Sequence, residues 1–123
     1  MGLADHLDEM RSTLPGCTLV SFGDLRTGLA LRTSASRQYK QDYLEGLLQQ
    51  AAQSFAVTDA IQPSTENAAG TSVILATPDE YRIFLRSDHC ASDVLCCVCD
   101  EAGAQLYAEQ AAKSFFHSVS EGG

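Results

Sequence analysis

Residues 71–99 read TSVILATPDEYRIFLRSDHCASDVLCCVC, and this stretch decides the fold. Its β-branched and apolar residues fall in three short runs, which are separated by Pro78-Asp79 and by the polar segment from Ser87 to Ser92. Runs of this length and composition predict three consecutive strands, the first two joined by a tight turn with proline at its first central position. The run from Asp93 to Cys99 is apolar on both faces, which predicts a central strand.

Two more strands are predicted upstream, before a long amphipathic helix. The run from Cys17 to Phe22 is apolar on both faces, and the run from Leu29 to Thr33 follows a turn that contains two glycines. The segment from Asp42 to Ala56 has helical spacing, and its apolar residues cover about half of the helix circumference. Burial against one surface needs a narrower stripe, so a second contact is expected for this helix.

Helices are also predicted at both ends of the chain, from Leu3 to Leu14 and from Ala104 to Phe116. The element order is therefore αββαβββα, which indicates an α+β domain with a single sheet flanked by helices. Residues 1–123 are expected to form one domain. Within it, residues 57–70 are predicted to be a mobile loop and residues 118–123 a frayed tail.

Composition and charge exclude several classes of partner. The chain has 16 acidic and 8 basic side chains and a formal net charge of -8, which disfavours nucleic acid and anionic membrane surfaces. Its longest apolar run, from Val94 to Cys99, is far shorter than the roughly 20 residues of a membrane span. The acidic start resembles no targeting segment, so a cytoplasmic location is expected. A basic protein partner is compatible with this charge.

Five cysteines are an odd number, and most of them fall in or beside predicted strands: Cys17, Cys90, Cys96, Cys97 and Cys99. This usage is typical of reduced cytosolic thiols. A metal site is one interpretation of these cysteines, because four of the five soft ligands follow His89 closely. Alternation along a strand places Cys97 and Cys99 on one face and Cys96 on the other, which favours buried thiols over a zinc site. No metal or cofactor is predicted.

No set of residues predicts an enzyme. Only His89 lies in a loop suited to a catalytic base, and its neighbour Cys90 is too close in sequence for the geometry of a thiol–imidazole pair. The glycine-containing turn at residues 23–28 joins two strands and does not lead into a helix, which excludes a phosphate-binding loop there. Arg32, Arg82 and Arg86 would line an anion site if their strands were neighbours, although a role as charged residues protecting a sheet edge is favoured.

The segment LPGCTLVSFGDLRTGLAL at residues 14–31, the helix from Tyr43 to Phe55 and the three strands from Ser72 to Cys99 together resemble the Roadblock/LC7 family. The resemblance covers nearly the whole chain. It implies a five-stranded antiparallel sheet with the middle helix on one face and the terminal helices on the other. It also implies a homodimer that pairs the third strands and the middle helices. Members of the family act as regulators or scaffolds of Ras-like small GTPases, or as dynein light chains, and bind neither nucleotide nor metal themselves.

The wide apolar arc of the middle helix and the apolar third strand support such a dimer independently, because one symmetric interface would cover both. Two features depart from the family pattern, namely the long connection at residues 57–70 and the cysteine-rich fifth strand. The expected interface consists of residues from the middle helix and the third strand: Tyr43, Leu47, Gln50, Ala51, Ser54, Ser72, Val73, Ile74 and Leu75.

The leading hypothesis is therefore a non-enzymatic homodimer that docks or regulates a small GTPase. Two other classes stay open. One is a small-molecule sensor of the profilin-like or PAS-like kind, which would hold a ligand in a pocket between sheet and helix. The other is a thiol-based redox enzyme, which would require one cysteine to react much faster than its companions.

Overall fold

The structure is a computed structural model that describes residues 2–61, 72–87 and 92–120. Its elements follow the predicted order αββαβββα, which is confirmed. They are α1 (Leu3–Thr13), β1 (Cys17–Asp24), β2 (Leu29–Ala35), α2 (Gln41–Ile61), β3 (Ser72–Ala76), β4 (Tyr81–Arg86), β5 (Asp93–Cys99), a short 3-10 helix (Ala102–Ala104) and α3 (Gln105–Ser120).

The five strands form one sheet in the order β2-β1-β5-β4-β3, and every neighbouring pair is antiparallel. The central position of β5 was predicted from its apolar residues on both faces and is confirmed. Both hairpins, β1–β2 and β3–β4, join neighbours in the sheet. The edge strands are β2 and β3, which matters for function because an edge strand offers unpaired backbone groups to another chain.

Helices cover both faces of the sheet, as the resemblance implied. The strand alternation predicted for the cysteines is confirmed, since Cys96 faces α2 while Cys97 and Cys99 face α1 and α3. The core on the α1 and α3 side contains Leu7, Met10, Leu14, Val20, Phe22, Ile83, Leu85, Leu95, Phe115 and Phe116 together with small residues of α3. The core on the α2 side contains Leu19, Leu44, Leu47, Leu48, Ala51, Phe55, Phe84, Val94, Cys96 and Val98.

The middle helix is longer than its sequence pattern predicts, and the loop expected at residues 57–70 is wrong for residues 57–61. Helix α2 continues to Ile61. Its last turns are anchored by Arg86 of β4, which donates two hydrogen bonds of 2.9 and 2.8 Å to the Asp59 carboxylate and lies 4.7 Å from the centre of the Phe55 ring. A bidentate ion pair from a neighbouring strand is a tertiary contact, so the local sequence pattern does not contain it. Residues 62–70 of the expected loop lie outside the described residues.

The last helix also exceeds its prediction. Helix α3 includes Ser118 and ends at Ser120, so the expected frayed tail is wrong for residues 118–120. Residues 121–123 lie outside the described residues.

The beginning of β1 is held against the end of β5, because the turn at Gly16 lies close to the turn at Asp100 and Glu101. Gly16 has a φ of 65°, and a Cβ atom at this position would clash with the side chains of Asp100 and Glu101. The backbone N–H of Asp100 donates a 2.9 Å hydrogen bond to the Gly16 carbonyl. Glycine is required here both by the backbone conformation and by the space, and it brings the neighbouring Cys17 opposite Cys99.

Candidate interaction surface

The surface predicted from the sequence lies along the edge strand β3. Val73 and Leu75 are partly buried and pack on the α2 side, next to the core. Ile74 points to the opposite face and is 47% exposed, and Ser72 Oγ donates a 2.6 Å hydrogen bond to Glu109 of α3. Because β3 pairs only with β4 among the described residues, its outer edge is available to another strand.

The flank of α2 next to this edge carries three of the predicted residues, Tyr43, Gln50 and Ser54, all of them half-buried. Two other predicted residues do not belong to it. Leu47 is 2% exposed and Ala51 is 0% exposed, and both pack against the chain's own sheet. Their assignment to the interface is therefore corrected: most of the wide apolar arc of α2 is buried within the chain itself.

Two residues missed by the sequence reasoning lie on the outward side of α2. Gly46 is exposed, with no neighbouring atom within 4 Å of the position of a Cβ atom, and Val57 is 59% exposed. They are eleven residues apart, which is close to three helical turns, so they lie on one line along the helix. A glycine in the middle of a helix lowers stability by roughly 0.5–1 kcal/mol relative to alanine. Its presence in the predicted helix was therefore the sequence signal that could have marked Gly46 as part of a surface. We call Tyr43, Gly46, Gln50, Ser54 and Val57, with residues 72–75 of β3, the α2–β3 surface.

A hydrogen-bonded network joins α2 to the β3–β4 hairpin at one end of this surface. Arg82 donates from Nε to Glu80 Oε2 at 2.7 Å and from Nη1 to Gln50 Oε1 at 2.8 Å. The Tyr43 hydroxyl donates to the same Glu80 oxygen at 2.9 Å. The network holds the helix and the hairpin in one relative position, so that both present a single surface.

Two tyrosines and two arginines continue the network as a ladder. The rings of Tyr39 and Tyr43 stack with centroids 5.1 Å apart, and the Arg82 guanidinium lies 5.8 Å from the Tyr43 centroid. At the outer end, Arg37 lies 5.1 Å from the Tyr39 centroid, and its Nε donates to the Tyr39 hydroxyl at 3.1 Å. We call Arg37, Tyr39, Tyr43 and Arg82 the tyrosine–arginine ladder. Tyrosine and arginine dominate the binding energy of many protein interfaces, which makes the ladder a strong candidate contact.

The ladder predicts a pH effect that reports on its geometry. Burial, followed by the hydrogen bond to Glu80, raises the pKa of Tyr43 to about 12. The unfolded chain loses this proton first as the pH rises, so the contribution to stability is present below pH 10 and is lost as the pH rises from about 10 to about 12. A tyrosinate absorbance titration of the protein and of its Tyr43→Phe variant isolates this group. Glu80→Gln is expected to lower the Tyr43 pKa only in part, because the burial remains. A Tyr43 transition near pH 10 in the unmodified protein would contradict the network.

The three arginines considered as an anion site do not meet. Arg32 is on the edge strand β2 and points to the face covered by α1 and α3, whereas Arg82 and Arg86 lie on the α2 face of β4. Both of the latter make ion pairs, with Glu80 and Asp59 respectively. The expected role in protecting a sheet edge is also wrong for Arg82 and Arg86, because β4 is not an edge strand.

Within residues 2–61, 72–87 and 92–120, no three His, Cys, Asp or Glu side chains converge as they would around a metal ion. The same part of the chain contains no helix with the length and apolar character needed to cross a membrane. His89 and Cys90, the residues considered for catalysis, lie outside the described residues.

Cavities lie at the margins of the fold. The space between α2 and the sheet, where the sensor hypothesis placed a ligand, is occupied by buried side chains such as Phe55 and Phe84. A cavity of about 540 Å³ lies between α1 and α3, with Met10 and Phe115 among its lining residues. Another of about 340 Å³ lies between α2 and the β1–β2 turn. Nothing in either position favours the sensor over the interaction surface.

Comparison with known proteins identifies the fold. No family model matches the sequence, and no curated protein is similar to it by sequence. The structure is similar to that of a Roadblock/LC7 domain from Streptomyces avermitilis, with a TM-score of 0.77 and 9% identity over 98% of this chain and 97% of that chain. It is also similar to MglC from Myxococcus xanthus, with a TM-score of 0.62 and 13% identity over 95% and 99% of the two chains. For MglB from the same organism the TM-score is 0.66 and the identity 14%, over 94% and 95%. The chain has the Roadblock/LC7 fold, which confirms the architecture that the sequence pattern implied.

Proposed function

We propose that this chain is a non-enzymatic, homodimeric scaffold or regulator of a Ras-like small GTPase, and that the α2–β3 surface forms the dimer. The observation that carries the proposal is the Roadblock/LC7 fold over almost the entire chain, with its third strand at the sheet edge and its middle helix alongside. Nucleotide binding is assigned to the GTPase and not to the glycine-containing segment of this chain, since residues 25–28 form a turn between β1 and β2 and not a loop before a helix.

The geometry of the α2–β3 surface supports the proposed dimer. Two copies related by a two-fold axis pair their β3 edges and continue the sheet from one copy into the other. The same axis brings the two α2 helices together along the line of Gly46 and Val57. Close approach of the helix backbones is possible where Gly46 has no side chain, and the exposed Val57 and Ile74 gain cover.

Arg37 and Tyr39, which form the outer end of the tyrosine–arginine ladder and lie outside the α2–β3 surface, are the contact we assign to the GTPase. They lie next to the dimer-forming part of α2, and Arg37 is exposed. The chain has a net charge of -8, which favours a partner with a basic docking surface. At the centre of that surface we expect acidic side chains or backbone carbonyl groups, which would pair with Arg37. The free thiols Cys17, Cys96, Cys97 and Cys99 support a reducing, cytoplasmic location.

The test mixes the purified protein with GTPases encoded in the same organism, loaded with GDP or with a GTP analogue, and measures co-elution and GTP turnover. Arg37→Ala is expected to weaken GTPase binding about tenfold, corresponding to roughly 1.4 kcal/mol. Arg26→Ala is the matched control, because this arginine is 78% exposed on the distant β1–β2 turn. Absence of binding to every GTPase tested would refute the GTPase role, and equal effects of the two substitutions would refute the role of the ladder.

A further inference from the structure

Cys17 and Cys99 stand directly opposite each other on antiparallel neighbours. Cys17 is the first residue of β1, Cys99 is the last residue of β5, and they are register partners in the sheet. Opposed residues of an antiparallel pair have Cα atoms about 4.5–5.5 Å apart, a separation that a disulfide bridges without backbone movement. The hydrogen bond between Asp100 and Gly16, next to the two cysteines, holds the strand ends together.

The two thiols also share one environment and differ in access. Both face the core between the sheet and the terminal helices, but Cys17 is half-buried whereas Cys99 is fully buried. A hydrogen bond from Cys99 lowers the pKa of Cys17, and the positive charge of Arg11 on α1 acts in the same direction against burial and the negative charge of Asp100. The same hydrogen bond raises the pKa of Cys99. Cys17 is therefore the more nucleophilic and the more accessible member of the pair.

The other described cysteines lack this combination. Burial raises the pKa of Cys96 to about 12, and its side chain lies on the α2 face of the sheet, away from Cys17. Burial also raises the pKa of Cys97 well above its usual range, and Cys97 is the register partner of Val20. Reactivity and proximity thus coincide only at Cys17 and Cys99 among the described cysteines.

We propose that Cys17 and Cys99 form a peroxide-sensitive dithiol, in which Cys17 is oxidised first and Cys99 then closes a cross-strand disulfide. This modification site goes beyond the role in GTPase regulation and does not depend on it. The disulfide would join the first residue of β1 to the last residue of β5 and so tie these two antiparallel strands together at one end of the pair.

The chemistry balances with a hydroperoxide as the oxidant. The Cys17 thiolate attacks one peroxide oxygen, so that an S–O bond forms, the O–O bond breaks and hydroxide leaves from hydrogen peroxide. The Cys99 sulfur then attacks the sulfur of the Cys17 sulfenic acid. An S–S bond forms, the S–O bond breaks, and the departing hydroxyl takes up the Cys99 proton as water. Two thiols are oxidised by two electrons, and one hydrogen peroxide is reduced to two waters.

The sequence makes the product easy to identify. Trypsin places Cys17 alone in the peptide from Ser12 to Arg26 and the four other cysteines in the peptide from Ser87 to Lys113. Treatment of the reduced full chain with hydrogen peroxide is expected to link these two peptides within one molecule, with fragment ions locating the bond at Cys99. The intramolecular bond is expected to raise the melting temperature by roughly 10 °C, because it constrains the unfolded chain.

Variants separate the two steps. Cys99→Ala is expected to leave a sulfenic acid at Cys17 that dimedone captures, whereas Cys17→Ala abolishes the link between the peptides. Cys96→Ala is the matched control and is expected to form the link as the unmodified protein does. The rate of iodoacetamide labelling in the folded, unmodified protein is a further test that needs no variant. A Cys17 rate no faster than that of Cys96, or a peroxide-treated protein without the Cys17–Cys99 link, would overturn the proposal.

Discussion

Leu47→Asp is expected to unfold the domain and not merely to separate two copies of it. Leu47 is 2% exposed and lies in the core between α2 and the sheet. The substitution removes a buried apolar side chain and places a carboxylate in its position without a partner. Together these changes are expected to lower the free energy of unfolding by at least about 4 kcal/mol. That is a large share of the roughly 5–15 kcal/mol by which a domain of this kind is stable.

Urea denaturation followed by circular dichroism measures this effect. Leu47→Ala is expected to be less stable than the unmodified protein and more stable than Leu47→Asp. Its free energy of unfolding is expected to fall by about 2–5 kcal/mol, because the substitution creates a cavity without burying a charge. Gln49→Asp provides the control, since it introduces the same carboxylate on an exposed position of the same helix and is expected to change stability by less than about 0.5 kcal/mol. A Leu47→Asp protein that remained folded but no longer formed a dimer would contradict this prediction and would show that Leu47 belongs to the interface.

Gly46→Arg is expected to have the opposite profile, with an intact fold and a lost dimer. No atom lies within 4 Å of the position of a Cβ atom, so the single copy accommodates the side chain, and the helix gains up to about 0.8 kcal/mol because arginine is a better helix former than glycine. Between two α2 helices related by a two-fold axis, the substitution introduces two bulky side chains of like charge. We expect the dimer dissociation constant to rise at least about 100-fold, corresponding to roughly 2.7 kcal/mol.

Sedimentation equilibrium over a range of protein concentrations gives the dissociation constants, and denaturation of the same samples checks the fold. Gln49→Arg adds the same side chain on the flank of α2 that borders the β1–β2 turn, away from β3, and is expected to leave the dimer unchanged. An unchanged dissociation constant for Gly46→Arg would exclude α2 from the interface. A mass of one chain for the unmodified protein at tens of micromolar would contradict the homodimer itself.

Several features of the fold were predictable because they depend on local patterns. Strand alternation predicted that Cys97 and Cys99 share one face of β5 and Cys96 the other, and the apolar residues on both faces of β5 predicted its central position. The same alternation placed Cys17 on the face of Leu19, which is wrong because the register of β1 shifts between these two residues. The bounds predicted for β5, from Asp93 to Cys99, agree with the structure residue for residue. The end of α2 was not predictable in this way, because the ion pair between Arg86 and Asp59 brings a strand to residues that carry no clear helical pattern.

The candidate interaction surface was also predictable only in part, for the same reason. Periodicity correctly indicated that α2 has a wide apolar arc, yet it assigned Leu47 and Ala51 to a partner when the chain's own sheet buries them. The width of the apolar arc of α2 indicates how much apolar surface must be buried. Only the packing of the helix on the sheet decides which part of that surface is buried within the chain itself. The tyrosine–arginine ladder was likewise not predictable in full, because Arg82 joins its three other residues from a strand that is distant in sequence.

By itself, then, the sequence determined the order of the helices and strands, the alternation of side chains along β5 and the net negative charge. These properties follow from spacing of two or about three and a half residues and from composition, which every part of the chain carries locally. The tertiary structure alone decided that Gly46 and Val57 remain outside while Leu47 is buried. It also decided that Cys17 and Cys99 stand opposite each other. Such placements depend on strand register and on the angle at which a helix packs, and both are settled by contacts between residues far apart in the chain.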